Sequence, residues 1–441
     1  MYRWASDLFP LCRSLTGEGN RKTLQYLKNL VPEMQVLEIP SGTPAFDWQV
    51  PEEWTIREAW IKGPDGQKIV DFADHNLHVV GYSEPVDRRL SLQELQNHLF
   101  SRPDFPDAIP YVTSYYERRW GFALPHRIRE CLPRGEYQVY IDSDLQPGSM
   151  SYGEVILPGA DPREILLSTY ICHPSMANNE LSGPVVLAAL LQWLKKEPRR
   201  FTYRALFLPE TIGSIYYLSR HLKELKERVQ AGFVLTCLGD SRGYSFLPSR
   251  KGQTLADRIA RHVFKHLGEP VKEYDYQLHR GSDERQYCSA GVDLPVVLMM
   301  RSKFHEYPEY HTSADDLSLI SPEGLQGGYD LHQKALSLLE LNEILVATVT
   351  CEPQLGRRGL YPTLSMSEGG GKPNWVKRIR NLLANADGTE DLLAIADRCG
   401  FDLLEARQAV EALKSHLLLA PLPASEVGNR APLRTLRVRD V

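Results

Sequence analysis

The sequence predicts an α/β fold on a mixed, largely parallel sheet, interrupted by a mostly β insertion and followed by a small helical domain. Three observations carry that reading. From Gly153 onward, apolar strand-like runs alternate with helix-length amphipathic runs, the pattern of strands covered on both faces by crossover helices. Between about Gly42 and His126 the texture shifts to short strands and turns. Beyond a Gly-rich linker at Gly369–Asn374, three short helical patterns close the chain.

In chain order, a helix is expected over Leu15–Leu30, with Thr16 or Glu18 near its start. PSGTPAFDWQVPEEW, GPDGQKIV and FADHNLHVV read as short strands and turns, and SLQELQNHLF as an embedded helix. The aromatic run Tyr111–Trp120 could bind a sugar or peptide, but reads first as the insertion's own core or its seam with the larger domain. Strands then fall at GEVILPG, REILLSTYICH, YRALFLPE, AGFVLTCLGD and LPVVLMMR. Between and after them come helices at GPVVLAALLQWLKK, IYYLSRHLKELKERV, TLADRIARHVFKHLG and the long LQGGYDLHQKALSLLELNEILVATV. The last patterns, NWVKRIRNLLANA, TEDLLAIADRCG and LLEARQAVEALKSHLLL, outline a winged helix-turn-helix. The expected domains are therefore 1–40 with 132–366, an insertion at 41–131, and a winged helix at 373–441.

Composition narrows the function classes. A chain of 441 residues with 42% hydrophobic and 24% charged residues is an ordinary globular protein of several domains, neither disordered nor fibrous. The formal net charge of -5 gives no global pull toward nucleic acid or an anionic membrane. No apolar run reaches the ~18 residues of a membrane span, and the N-terminus carries polar and acidic residues too early for a signal peptide. Seven cysteines without a CxxC pair argue against a disulfide framework or zinc ribbon, and for a reducing, cytoplasmic setting.

Ligands of open α/β sheets bind beyond the carboxyl ends of the strands. Four such ends deliver His173, Glu210, Asp240 and, in the loop after LPVVLMMR, Glu309 with His311. Imidazole and carboxylate without thiolate is a zinc-type donor set, one that would also suit cobalt or manganese.

At these residues the chain resembles a family. CHPSMANNELSG, FLPETIGS, LGD, GSDERQYCSAG and EYHTSADDL are similar to motifs of the zinc aminopeptidase superfamily, which includes leucyl aminopeptidases, glutamate carboxypeptidase and glutaminyl cyclase. The nearest subgroup is bacterial and aminopeptidase-like, carries an inserted β domain and a C-terminal winged helix, and is associated with polysaccharide biosynthesis. The resemblance implies a three-layer zinc-exopeptidase-like domain holding one or two zinc ions. It implies metal ligation by His173, Asp240 and His311, places Glu210 at the family's acidic pair, and places Asn179 where the family bridges two metals with an acidic residue. Activated water would cleave an amide bond in a peptide or small molecule.

Two departures shape the expectation. Asn179 is a neutral substitute for a bridging carboxylate, and the neighbouring Glu180 could bridge in its place. Pro209-Glu210-Thr211 holds one carboxylate where the family has two, so Glu210 is either base or ligand, with Glu180, Asp283 or Glu284 as the other base candidates. A catalytically inactive, ligand-binding or regulatory protein is the alternative. Asn179, Asp283, Arg301 and Tyr310 are further pocket candidates, beside Arg280, Arg285, Tyr287 and Tyr307. Cys172 and Cys288 read as packing residues. The helix LLEARQAVEALKSH mixes Glu405, Arg407, Glu411 and Lys414, so a protein partner or self-association is favoured over nucleic acid for the winged helix.

Overall fold

The computed structural model describes residues 1–361 and 373–421. Most of the Gly369–Asn374 linker and the basic tail RAPLRTLRVRD lie outside the described residues. The chain forms two compact units, Met1–Ala260 with Gly268–Gln333, and Arg261–Leu267 with Lys334 onward.

The first unit is built on an eight-stranded mixed sheet. Its strands are β1 (Gln35–Pro40), β2 (Ser149–Leu157), β3 (Asp161–Tyr170), β4 (Phe201–Leu208), β5 (Val229–Val234), β6 (Tyr244–Leu247), β7 (Val271–Glu273) and β8 (Val296–Met300). They lie in the order β1-β2-β4-β3-β5-β8-β6-β7. The centre is parallel, with β3 between β4 and β5, and β5 beside β8. The β1–β2, β2–β4 and β6–β8 pairs are antiparallel. Residues Glu164–Tyr170 of β3 are all buried, as an apolar strand between two covering layers must be. Helix α1 (Ser182–Leu194) is almost wholly buried for the same reason. Its Gly183 cannot be anything larger, because a Cβ there would stand 2.2 Å from the Leu235 carbonyl oxygen. That close approach seats the ANNELSG segment on the ends of β3 and β5.

The insertion carries a four-stranded antiparallel sheet in the order Lys68–Asp71, Glu53–Lys62, Glu136–Gln146, Val86–Ser91. Its strand Glu136–Gln146 lies past residue 131, the boundary expected from sequence. From this module a long loop runs back to the larger sheet. Ile109 and Ser313 exchange hydrogen bonds, and the Tyr111 N–H donates to the His311 carbonyl at 2.9 Å.

The second unit holds a three-stranded sheet, Asp387–Asp391, Ile344–Ala347 and Leu419–Pro421, with helices Pro373–Asn385, Leu392–Cys399 and Arg407–Ser415. The long helix expected through Val349 ends at Leu341. The β-branched run after Glu343 favours a strand instead, and Asn342 turns aside to bond Asp391 and the Leu393 amide. Asp391 caps its helix by accepting from the Ala394 N–H at 2.9 Å.

Candidate metal centre

The site grows from three chain segments that the fold brings to one end of the parallel strands. Past β3, Cys172 and His173 are buried. The His173 Nδ1 lies 2.7 Å from the Glu180 carboxylate. Arg13, itself buried, holds this pair from behind. Its Nε donates to the His173 carbonyl at 3.0 Å and lies 3.8 Å from Glu180 Oε1. Glu180 therefore orients the imidazole through one nitrogen and leaves Nε2 free, the arrangement that metal-ligating histidines usually show.

The wide turn Ala177–Leu181 that carries Glu180 is itself clamped. Asp315, the acidic residue of HTSAD, accepts from the backbone N–H groups of Asn178 at 2.6 Å and Asn179 at 3.0 Å, and from the Tyr307 hydroxyl at 3.0 Å. Burial pushes the Asp315 carboxyl up to about 6, against these donors. The two motifs most specific to the sequence are thus joined by hydrogen bonds.

Glu210 follows β4, and its Oε2 stands 3.6 Å from His173 Nε2. Burial pushes its carboxyl up to about 7; His173 opposes that shift and Asp283 adds to it. Burial by itself lowers His173, but Cys172, Tyr111 and Glu180 outweigh it and raise the ring well above its usual value. His311 sits 5.1 Å from His173 between ring centroids, with Tyr310 stacked on it at 3.9 Å. Burial holds the His311 ring well below its usual value, and its Nε2 is buried without a partner. Non-glycine residues with positive φ gather here, among them His311 at φ 55, Thr211 at φ 67 and Ser175 at φ 45, and backbone strain of this kind concentrates at functional sites. A cavity of roughly 380 Å³ opens on His173, Glu210 and His311, and its wall includes Trp48, Tyr111, Tyr115, Tyr116 and Arg285.

The structure brings His173, Glu180, Glu210 and His311 together and sends other candidates elsewhere. Asp240 is not part of this cluster. Its carboxylate accepts from Asn178 Nδ2, the Ser302 N–H and Oγ, and the Arg242 N–H, all between 2.8 and 3.0 Å. The strand reading placed Asp240 at a strand end, but β5 stops at Val234 and the chain turns at Cys237, φ 54. Thr236 is the residue that meets Asn179 there, donating to its carbonyl at 2.8 Å. Arg301 is also consumed, donating from Nε to the Asp240 carbonyl at 2.7 Å while lying over Tyr244. Asp283, by contrast, stays beside Glu210, whose carboxyl it pushes up; its Oδ1 accepts from the Thr211 N–H and the Ser214 hydroxyl, both at 2.8 Å, while its Oδ2 is buried without a partner. Glu284 is engaged with its own loop at Gly281 and Ser282. Asn179 donates from Nδ2 to the Tyr170 hydroxyl at 2.9 Å, and its Oδ1 is buried without a partner. Tyr310 is present as the ring stacked on His311, not as a lining residue of the cavity.

The sequence pattern marks Tyr111 only as the start of an aromatic run and does not bring it to the imidazoles, and it does not mark Arg13 at all. Tyr111 stands edge-on to both imidazoles, 5.0 Å from His173 and 5.2 Å from His311, with its hydroxyl bonded to that of Tyr115. The aromatic run was the available signal. Arg13 had none, because an isolated arginine near the N-terminus carries no pattern.

The fold is that of the aminopeptidase-like hydrolases, joined to a winged helix. The chain belongs to the family described as a domain of unknown function, DUF4910, matched over residues 2–342, and residues 343–421 match a winged helix-turn-helix family. A Clostridium acetobutylicum protein, provisionally named for polysaccharide biosynthesis and an aminopeptidase-like domain, is 40% identical over 422 residues, 94% of each chain. The crystal structure of a provisionally named peptidase from the same organism superposes with a TM-score of 0.88 at 38% identity, covering 96% of each chain. A zinc aminopeptidase from Bacillus subtilis gives 0.56 at 14% identity, over 77% of this chain and 93% of that one. A peptidase M28 precursor from Shewanella amazonensis gives 0.55 at 12%, over 80% and 94%. At these last identities the likeness is one of fold.

Proposed function

We propose that the protein is a zinc-dependent hydrolase that cleaves an amide bond in a small molecule or short peptide. One observation carries the reading: two imidazoles and a carboxylate line one cavity, and His311 Nε2 lies buried beside it with no protein partner. Cys172, His173 and Glu180 also offer ligand atoms within 4.8 Å of one another. The His173–Glu180 bond already uses that side of the ring, so the cavity side is the better donor set.

One ion would be held by His173 and His311 with Glu210 facing it, and would have to draw these side chains together, since among the described residues only Cys172, His173 and Glu180 already offer ligand atoms within 4.8 Å of one another. Bound zinc would polarise the scissile carbonyl and lower the pKa of an attacking water. Two imidazoles are fewer than the three protein ligands usual for catalytic zinc, and Asn179 supplies no charge, so a weak, exchangeable ion is expected. Glu180 and Arg13 fix the His173 ring. Glu210, with a carboxyl near neutrality, takes the water proton and delivers it to the leaving nitrogen. The tyrosines narrow the cavity and limit water.

The name of the Clostridium acetobutylicum relative supports an amide on a polysaccharide precursor as substrate. Seven free thiols support a reducing cytoplasm, and no described helix is long and apolar enough to cross a membrane. Protein contacts or self-association through the winged helix stay part of the proposal. Asn179 and Thr211, where the resembling enzymes have carboxylates, favour a second reading, a ligand-binding protein without turnover.

Metal analysis with anomalous scattering at the zinc edge tests the first reading. One peak between His173 and His311, lost in His311→Ala together with amide hydrolysis, is the expected result. No metal after zinc soaking at neutral pH sinks it and leaves the second.

A further inference from the structure

The cavity holds an uneven set of charges. Its wall carries one carboxylate, Glu210, and one guanidinium, Arg285, beside the two imidazoles. Arg285 is exposed. Its Nη2 donates to the Thr211 hydroxyl at 2.7 Å. Among the described residues no carboxylate lies within ion-pair distance of it, although its field reaches Glu210 and Asp283. The other arginines considered for substrate binding are spent, Arg301 on Asp240 and Arg280 on the Gln277 carbonyl.

A substrate with a free α-ammonium needs a second carboxylate on this wall, since Glu210 is committed to the proton. None is present. A substrate carboxylate, by contrast, meets a guanidinium already aimed by Thr211, with donors left over for a charge-assisted contact. On the same wall Trp48 and Tyr116 meet edge to face at 5.4 Å, and they are 41% and 48% exposed, large amphipathic rings open to a ligand.

We propose that Arg285 is the specificity-determining residue and selects amides that carry a carboxylate next to the scissile bond, with the Trp48–Tyr116 edge receiving the acyl part. The class is N-acyl amino acids and chain ends bearing a free carboxylate, in place of the free amines that aminopeptidases take. This rests on the hydrolase reading. Water oxygen bonds the carbonyl carbon, the C–N bond breaks, one proton reaches the nitrogen through Glu210, and a carboxylic acid and an amine leave.

Binding of N-benzoylglycine, its methyl ester and leucine anilide to the zinc-loaded full chain, measured by calorimetry, tests the subsite without requiring turnover. N-benzoylglycine is expected to bind roughly tenfold or more tightly than its ester. Arg285→Gln removes that difference while ester binding holds, and Arg285→Lys restores part of it. Tighter binding of leucine anilide, a preference for N-benzoylglycine that survives Arg285→Gln, or no binding of N-benzoylglycine at 10 mM (roughly the weak limit of a specific site) each overturns it. Arg285-dependent binding with no amide cleaved retains the subsite and removes the hydrolase reading. Cleavage that favours leucine anilide and ignores Arg285 does the reverse.

Discussion

Asp240 and Glu210 are both carboxylates delivered near the ends of parallel strands, and they live in opposite conditions. Asp240 is buried with four hydrogen-bond donors on its two oxygens. Glu210 has His173 Nε2 at 3.6 Å as its ionic neighbour, and burial pushes its carboxyl up to about 7. A saturated carboxylate stabilises the fold and has no lone pair to spare. An unsaturated one costs stability and is available for chemistry. The pattern in sequence is the same for both; the count of donors separates them.

Exchanging the two roles by mutation is the strongest way to break this contrast. Glu210→Gln is expected to lower kcat by about 10²- to 10⁴-fold, the usual worth of a positioned proton carrier, with the melting temperature unchanged or raised. Its carboxyl binds a proton more tightly folded than unfolded, so its contribution to stability is full below about pH 4 and is lost as pH rises through about 7. In metal-free protein the melting temperature of Glu210→Gln should therefore overtake that of the wild type on going from pH 5 to pH 8. Asp240→Ala should do the opposite, losing about 3 kcal/mol in denaturant titration as Asn178 and Ser302 are stranded, with zinc content retained. Loss of zinc in Asp240→Ala without loss of stability would return Asp240 to the metal centre.

The contrast also explains what was legible. Strand runs such as REILLSTY and the small residue in ANNELSG dictate a buried sheet with a helix pressed on its strand ends, because apolar continuity and close approach are properties of sequence itself. His173, Glu210 and His311 were legible because each follows its strand or motif directly. Asp240 was misplaced because the strand stops early and Cys237 turns the chain, a backbone event with no side-chain signature. Tyr111 and Arg13 arrive from segments distant in sequence, and tertiary hydrogen bonds to the His311 and His173 carbonyls bring them in. The strand Ile344–Ala347 was lost in a helical pattern that an apolar run can equally satisfy.

Glu180 sharpens the contrast at a finer level, because it is neither saturated nor open. One oxygen accepts from His173, and Oε1 has no hydrogen-bond partner, with Arg13 at 3.8 Å. If it orients His173 and does not touch the ion, Glu180→Gln keeps the fold and weakens zinc about 10- to 100-fold. Competition titration against a chelating dye reads this directly. Complete loss of zinc, equal to that of His173→Ala, would make Glu180 a ligand.

The smallest expected effect is the most diagnostic, since it adds a charge where the other variants remove one. Asn179 Oδ1 is buried and without a partner, while its amide donates to the Tyr170 hydroxyl. In Asn179→Asp the side-chain volume is kept, but the Tyr170 hydroxyl must leave Thr236, 2.6 Å away, to donate to the new carboxylate, which adds to the cost in metal-free protein. The new carboxylate is unfavourable in metal-free protein, because burial opposes its ionisation. Zinc offsets that cost. Metal-free Asn179→Asp should melt lower than the wild type, bind zinc about tenfold more tightly, and regain its stability on loading. Unchanged zinc affinity would mean that Asn179 lies outside the ion's reach, and that the centre is made by His173, Glu210 and His311 alone.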